Sequence, residues 1–158
     1  MMRSRAGPED GFTLLEMVCV MAIIALVAAV LLPSLPRQTS RSRLEAYAIE
    51  AAALLKAVRN AAIRRRQEVT TQIDAGSRSV RSGASGNTVH VPDDVRFEAL
   101  LPDNCNRRPV VATVSFFASG MSCGGVIALT KVDTGYEIRI NWLTGRIEVV
   151  PRDRFDKP

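Results

Sequence analysis

The segment 120–124 is the part of the chain that most resembles a catalytic motif. Its residues, Gly120-Met-Ser-Cys-Gly124, fit the G-x-S-x-G pattern, in which a strained turn between a strand and a helix exposes a nucleophilic serine. That chemistry needs a histidine after the serine in the chain, and the only histidine, His90, precedes it. Short β-like runs also flank the segment, with no helix after it. We therefore interpret the two glycines as a tight turn between strands and predict that the chain is not an enzyme.

Three scattered residues, His90, Cys105 and Cys123, have side chains that could ligate a transition metal. Their spacing matches none of the zinc-binding patterns, so we expect no metal site and interpret His90 as an ordinary strand or loop residue. The chain also has no G-x-x-x-x-G-K-[ST] loop, so nothing in it indicates nucleotide hydrolysis. No cofactor is expected.

The three cysteines differ in their surroundings. Cys19 lies in an apolar run and is expected to pack as a small hydrophobic residue. Outside the cytoplasm, Cys105 and Cys123 could form a disulfide that closes a loop of about 18 residues and stabilises the fold by about 3 kcal/mol. The sequence does not show whether they meet, so both the bridged and the free state stay open.

An apolar run with a single acid, Glu16, extends from Gly11 to Pro33. Its residues from Phe12 to Leu32 would span about 31 Å as a helix, which is the thickness of the hydrocarbon core of a bilayer. Sixteen of them, Met17 to Leu32, are uninterrupted apolar residues, too long a stretch for the core of a cleaved signal peptide. We predict a transmembrane helix. Glu16, about one turn inside, either reaches the interface or pairs with a positive group on a neighbouring subunit.

The net charge of +5 arises mainly in the segment after the apolar run. Between Arg37 and Arg66 there are eight bases and two acids, whereas the chain from Gln67 onward carries eleven of each. Such a segment is attracted to anionic lipid head groups or forms a solvated helix face, and it favours nucleic acid binding less. Flanking charges alone would place the C-terminal side of the apolar run in the cytoplasm.

Two types of periodicity follow. Apolar residues at three- and four-residue steps predict an amphipathic helix over about 39–65, after Pro33 and Pro36 end the first helix. Its apolar stripe consists of Leu44, Tyr47, Ala48, Ala51, Leu54, Leu55, Val58 and Ala62. Short alternating runs then predict strands over 68–74, 88–91, 95–100, 110–117, 125–130, 136–141 and 146–150. The Gly- and Ser-rich stretch 76–87 is interpreted as a mobile loop. The expected fold is α+β, a long N-terminal helix packed on a small antiparallel β domain.

The start of the apolar run resembles the processing signal of type IV pilins and type II secretion pseudopilins. Gly11-Phe-Thr-Leu-Leu-Glu16 carries the glycine, the phenylalanine and the acid of that signal, and Pro33 matches a helix proline of the family. The resemblance implies that a prepilin peptidase cleaves between Gly11 and Phe12 and methylates the amine of Phe12. It also implies that Glu16 pairs with the N-terminal amine of an adjacent subunit.

The C-terminal part narrows the resemblance. The segments 114–129 and 140–149 are similar to the H-type minor pseudopilins, a group that includes GspH and the minor pilins FimT and FimU. This implies a structural subunit of the type II secretion pseudopilus, which helps to export folded proteins across the outer membrane. The alternative is a FimT/FimU-like minor pilin of a type IV pilus that binds DNA during uptake.

The resemblance also implies a domain organisation and a location. Residues 1–11 would be a removed leader, 12–33 the transmembrane segment, 34–66 the amphipathic helix and 67–158 a periplasmic β domain. The chain would span the inner membrane once with its N-terminus in the cytoplasm, against the flanking charges, because large domains translocate largely regardless of nearby bases. The expected partners are other major and minor pseudopilins in a hetero-oligomeric filament, the prepilin peptidase and the inner-membrane secretion platform.

Overall fold

The computed structural model describes residues 13–31, 39–132 and 134–152. The chain divides into two compact units, Met1–Arg37 and Gln38–Pro158. The described part of the first unit is one helix, and the described part of the second is a helix with antiparallel sheets. These elements agree with the predicted α+β class.

Helix α1, Leu14–Leu31, is the only element described in the first unit. It begins after Thr13, whose hydroxyl Oγ1 accepts a hydrogen bond from the backbone N–H of Glu16 at 3.2 Å. A threonine in this position satisfies one of the free N–H groups of a helix start. The predicted leader 1–11 and the ends of the predicted segment 12–33 lie outside the described residues.

Helix α2, Arg41–Arg65, opens the second unit. Ser40 is its N-cap, with a hydroxyl that accepts from the N–H of Arg43, and Arg66 ends it in the left-handed conformation at φ 51°. These ends lie close to those of the predicted helix. The predicted apolar stripe faces the core, with Tyr47 and Leu54 half-buried at its margin. The fully covered residues are Leu44, Ala48, Ala51, Ala52, Leu55, Val58, Ala61 and Ala62.

Two four-stranded antiparallel sheets and one small hairpin form the β domain. The first sheet has the order β3-β2-β1-β7, the second the order β10-β9-β8-β4, and β5 pairs with β6. The strands are β1 Val69–Asp74, β2 Ser79–Ser82, β3 Thr88–His90, β4 Arg96–Leu100, β5 Asn104–Cys105, β6 Arg108–Pro109, β7 Thr113–Phe116, β8 Gly125–Lys131, β9 Thr134–Ile140 and β10 Ile147–Arg152.

The prediction of a mobile loop over 76–87 is wrong. Strand β2 lies within it and pairs with both β1 and β3, so it is an inner strand of the first sheet. Val80 is completely buried, and the hydroxyl of Ser82 accepts hydrogen bonds from the backbone of Ala84 and Ser85. Serines are compatible with a strand when their hydroxyls are satisfied in this way, and the composition of the stretch hid this. Gly83 passes so close to the carbonyl of Thr70 that a Cβ would lie 2.0 Å from its oxygen.

The prediction of one strand over 110–117 is only partly correct. Strand β7 begins only at Thr113, and residues 110–112, which connect it to the β5–β6 hairpin, belong to no strand. Ala112 has a positive φ of 53°, although its carbonyl still accepts a hydrogen bond from the N–H of Ile73. The run of alternating apolar residues therefore continues past a break in the strand that the sequence does not reveal.

The core lies between α2 and the two sheets. Leu55 and Val58 of the helix are fully buried, as are Phe116 of the first sheet and Ile127 and Ile138 of the second. One helix thus covers apolar residues of both sheets.

Candidate functional site

Glu16 is the only member of the predicted processing and assembly set that the structure describes. It lies in the first turn of α1, is exposed, and its backbone N–H also donates to the carbonyl of Thr13 at 3.0 Å. A carboxylate is favoured near the positive end of a helix dipole. Gly11 and Phe12 lie outside the described residues, so cleavage between them and the partner of Glu16 remain predictions.

Helix α1 exposes apolar side chains all around it. Leu14, Met21, Ile23 and Leu26 are each more than 60% exposed, and Cys19 is a free, exposed cysteine. A helix that is apolar on every side is stable only where a lipid or protein environment surrounds it. Among the described residues, no helix meets the combined requirement of length and apolarity for crossing a membrane.

Arg59 connects α2 to two turns of the β domain. Its Nε donates to the carbonyl oxygen of Gly120 at 2.9 Å, and its Nη2 donates to the carbonyl oxygen of Thr144 at 3.0 Å. The side chain is half-buried, and the bonds cross 61 and 85 residues of sequence. Hydrogen bonds from a charged donor are stronger than those between neutral groups. We call Arg59, Gly120, Thr144 and Gly145 the Arg59 clamp.

The glycines of the Arg59 clamp are required by close contact. A Cβ on Gly145 would lie 1.9 Å from the carbonyl oxygen of Gly120 and 2.8 Å from Nε of Arg59. Gly120 and Gly145 also have positive φ values of 84° and 63°. The interpretation of Gly120 and Gly124 as turn residues agrees with the structure, in which Gly124 has a φ of 77°.

Ser122, the serine of the G-x-S-x-G segment, has a structural role here. Its hydroxyl donates to the carbonyl of Asn141 at 3.0 Å and accepts from the N–H of Gly124 at 3.0 Å. The residue is 5% exposed, so it fixes the contact between two turns and presents no free nucleophile. His90 lies exposed on strand β3. Within the described residues, no cluster of histidine, cysteine and acidic side chains could hold a metal ion.

Cys105 and Cys123 are brought together. Their Cα atoms are 5.5 Å apart, and their sulfur atoms lie within bonding distance. Cys105 belongs to the β5–β6 hairpin, and Cys123 follows Ser122 in the turn described above. The bridge therefore fastens the segment between β4 and β7 to the turn that Arg59 holds.

Asp94 is the centre of a second set of contacts, at the start of α2. Its Oδ2 accepts from Nζ of Lys131 at 2.5 Å and from the N–H of Thr39 at 2.8 Å, and its Oδ1 accepts from the hydroxyl of Thr39 at 2.8 Å. The Lys131 ammonium, followed by the two Thr39 donors, holds the pKa of Asp94 well below its ordinary value. The beginning of α2 is thereby joined to the loop before β4 and to the end of β8.

Neither Arg59 nor Asp94 stands out in the sequence. Arg59 is one of eight bases in its segment, and only its position four residues after Leu55, beside the apolar stripe, separates it from the solvated ones. Asp94 follows Pro92 and Asp93 in what reads as a turn. Both form hydrogen bonds with residues more than 30 positions away in the chain, and a local sequence pattern does not reveal such partners.

Two sequence families match the chain. The family described as prokaryotic N-terminal methylation motif matches residues 8–32, a range that includes Gly11, Phe12 and Glu16. The family described as type II transport protein GspH matches residues 48–145, more than half of the chain. The chain belongs to the GspH family. All four residues of the Arg59 clamp, and both cysteines of the bridge, lie within the GspH match.

Individual relatives agree with this assignment. The GspH-family chain is 30% identical over 142 residues to a type II secretion system protein H of Xanthomonas campestris, covering 89% of this chain and 83% of that protein. In fold it is similar to the minor pseudopilin EpsH of the Vibrio cholerae type 2 secretion system, with a TM-score of 0.53 and 12% identity over 68% of this chain and 95% of that one. It is also similar to the type IV minor pilin FimU of Pseudomonas aeruginosa, with a TM-score of 0.54 and 20% identity over 72% and 92%. The GspH-family chain is thus a minor pseudopilin with a pilin-like α+β fold.

Proposed function

We propose that this minor pseudopilin is a structural subunit of a type II secretion pseudopilus, which helps to export folded proteins from the periplasm. The observation that carries the proposal is the presence of both family matches in one chain: the methylation motif over 8–32 and the GspH region over 48–145. The described contacts of the β domain serve packing and turn geometry, which suits a subunit of an assembly.

We propose that the subunit exists in two forms, a membrane-anchored precursor and a processed subunit that assembles. Residues 12–33 anchor the precursor once in the inner membrane, with residues 1–11 in the cytoplasm and the β domain in the periplasm. Prepilin peptidase then cleaves between Gly11 and Phe12 and methylates Phe12. The exposed apolar surface of α1 supports this proposal, because such a helix is stable in lipid before assembly and among other helices afterwards.

Glu16 has a defined role in this scheme. Its carboxylate pairs with the new N-terminal amine of an adjacent pseudopilin, which offsets much of the cost of placing both charges in an apolar environment. An oxidising periplasm would also allow the bond between Cys105 and Cys123 to form. The inner-membrane secretion platform would take up the processed subunit.

Mass spectrometry of the full chain, expressed with a prepilin peptidase, tests the processing step. The wild-type protein is expected to begin at Phe12 and to carry one N-methyl group, whereas Gly11→Val should retain residues 1–11. Gly7→Val is the matched control, since it changes a glycine within the leader but not the cleavage position. Retention of the leader in the wild-type protein would contradict the proposal.

The similarity in fold to FimU leaves one alternative function, that of a minor pilin of a type IV pilus. The two structural similarities have nearly equal TM-scores and show the fold alone. A type IV minor pilin that binds DNA would bind it more weakly as salt is raised, because phosphate contacts release counterions. A gel-shift titration at two salt concentrations distinguishes the two functions, since a secretion subunit should bind no DNA in either.

A further inference from the structure

Four apolar side chains are exposed together at the end of the β domain where α2 finishes. Ile63, Met121, Trp142 and Leu143 are exposed by 38%, 36%, 62% and 54%. A Cβ on Gly120, the neighbour of Met121, would lie 3.2 Å from Cδ1 of Ile63. The N–H of Ser122 donates to the carbonyl of Trp142 at 3.0 Å. The Arg59 clamp thus holds the end of α2 and two turns side by side, and these side chains form one patch.

Four exposed arginines lie on α2 and on the β5–β6 hairpin, the elements next to this patch. Arg64 and Arg66 lie at the end of α2, while Arg107 and Arg108 lie on the β5–β6 hairpin, and all four are exposed. Their side chains make no hydrogen bond or ion pair with any residue that the structure describes. Together these residues form what we call the arginine–tryptophan surface: Ile63, Arg64, Arg66, Arg107, Arg108, Met121, Trp142 and Leu143.

The disulfide pair places the hairpin arginines beside the patch. Arg108 is the strand partner of Cys105, and the Cα of Cys105 is 5.5 Å from that of Cys123. Gly124, the next residue, comes so close to Trp142 that its Cβ would lie 3.1 Å from the Cβ of that residue. The hairpin that carries Arg107 and Arg108 and the turn that carries Trp142 therefore lie next to each other at the same end of the β domain.

The composition of the surface fits a protein partner. Tryptophan, methionine and arginine are enriched at protein interfaces, and tryptophan and arginine carry most of the binding energy there. A single-stranded nucleic acid site would instead place several aromatic rings along a basic groove. Here one ring lies among aliphatic side chains, and the exposed carboxylate of Asp103 directly precedes the β5–β6 hairpin that carries two of the arginines.

We propose that the arginine–tryptophan surface binds an acidic face on the β domain of a neighbouring pseudopilin in the filament. The partner places carboxylates against the four exposed arginines and an apolar recess over Trp142. This inference rests on the proposed function. Besides the contacts between N-terminal helices, it gives the filament a contact between β domains, formed by arginines against carboxylates. Charge complementarity selects the partner, because an interface of like charge would be repelled.

The only tryptophan of the chain, Trp142, gives a direct probe. Full-length protein containing 5-fluorotryptophan in detergent micelles yields one fluorine resonance. We would titrate it with the unlabelled periplasmic domain of each other pseudopilin of the same organism. One domain with an acidic face is expected to shift the resonance saturably, and 0.5 M salt should weaken its Kd at least tenfold.

Two matched pairs of variants test the residues. Arg107→Glu should weaken the Kd at least tenfold, whereas Arg81→Glu, an exposed arginine on β2, should leave it unchanged. In sheared pseudopili, Trp142→Ala should reduce incorporation of the subunit, whereas Val132→Ala, at an even more exposed apolar position elsewhere, should not.

Three outcomes would overturn the inference. They are a resonance that no pseudopilin domain shifts, a shift insensitive to Arg107→Glu, and a shift produced only by single-stranded DNA or by a second copy of this chain. Incorporation of the wild-type protein into pseudopili distinguishes failure of this inference from failure of the proposed function. If the subunit is incorporated but the resonance does not shift, only the inference fails; if it is not incorporated, the proposed function fails as well.

Discussion

Nε of Arg59 lies 2.9 Å from the carbonyl oxygen of Gly120, and this bond joins the last third of α2 to a turn that follows β7. The same guanidinium reaches Thr144 in the turn between β9 and β10. The two C-terminal segments that resemble the H-type pseudopilins, 114–129 and 140–149, therefore meet at one side chain of the helix. Gly120 and Gly145 have no room for a larger side chain because their backbones meet each other and Arg59 at this point.

The first prediction concerns this arginine. Arg59→Ala should lower the free energy of unfolding by about 2 kcal/mol, because two carbonyl oxygens lose a charged donor. Arg59→Lys should recover little of this loss, since an ammonium cannot reach both oxygens in the fork geometry of a guanidinium. Urea unfolding measures the effect. Arg64→Ala, which removes an exposed arginine of the same helix that pairs with no described residue, should change stability by less than about 0.5 kcal/mol.

A second prediction separates close contact from backbone conformation. Gly145→Ala and Gly86→Ala both place alanine at a positive φ, 63° and 78°, which costs about 1 kcal/mol. A Cβ at Gly86 has nothing within 4 Å, whereas one at Gly145 would overlap the carbonyl oxygen of Gly120. Gly145→Ala should therefore be about 2 kcal/mol more destabilising than Gly86→Ala in thermal unfolding. Equal effects would show that the clamp tolerates the added methyl group.

The third prediction is a pH dependence that arises at Asp94. Its pKa is lower in the folded than in the unfolded protein, so the folded state binds the proton less readily. The contribution to stability is complete above the ordinary pKa near 3.8 and is lost as the pH falls through the folded value. Urea unfolding should therefore show stability falling below about pH 4.

Asp94→Asn tests the origin of that dependence. The variant should be less stable than the wild type at pH 7, and the difference between them should shrink as the pH falls from 4 to 2. Asp103→Asn, at an exposed aspartate with no ion pair among the described residues, is the control and should keep the wild-type profile. A constant difference at every pH would assign the effect to something other than ionisation.

The fourth prediction concerns the cysteines. Replacing Cys105 by serine should lower the free energy of unfolding by about 3 kcal/mol, because the loop of 18 residues is no longer closed in the unfolded chain. Cys123→Ser should have the same effect, and the double variant should be no worse than either. Thiol counting in full-length protein extracted from cell membranes with detergent should find one free thiol, that of Cys19. Three reactive thiols would contradict the pairing.

The fifth prediction concerns the acid of α1. Glu16→Ala and Glu16→Gln should both insert and lose the leader normally but should be recruited poorly into pseudopili, because both lack the negative charge. Glu16→Asp keeps the charge and should retain part of the activity. Immunoblots of sheared pseudopili and of secreted protein provide the readouts. Normal secretion with Glu16→Gln would remove the ion pair from the mechanism.

Periodicity predicted the elements whose residues face one side consistently. The apolar stripe of α2, from Leu44 to Ala62, lies against the core as expected, because burial follows the 3.6-residue repeat. Most strands were also predicted within a few residues. Strand β2 was missed because serine and glycine dominate its surroundings. Its serine hydroxyls bond to neighbouring residues, as Ser82 does to the backbone of Ala84 and Ser85, and composition alone does not show this.

The contacts that hold these elements together could not be predicted in the same way. Arg59 binds backbone carbonyls, which exist at every residue, so no side-chain pattern marks its targets. Asp94 depends on Thr39 and Lys131, which lie 55 and 37 residues away. The two C-terminal segments that carry the resemblance contain Gly120 and Thr144, the carbonyl partners of Arg59. They contain neither Arg59 itself nor any residue of the Asp94 contacts.

Helix α2 is fastened to the β domain near both ends, by Asp94 at Thr39 and by Arg59 at Gly120 and Thr144. Its 25 residues form a rod about 37 Å long, with an apolar seam between the two fastenings. Apolar packing opposes the separation of α2 from the sheets but opposes sliding along the helix axis only weakly. Directed hydrogen bonds near both ends oppose that sliding. If the helices of a filament move along its axis, this β domain would therefore move with its own helix as one rigid body.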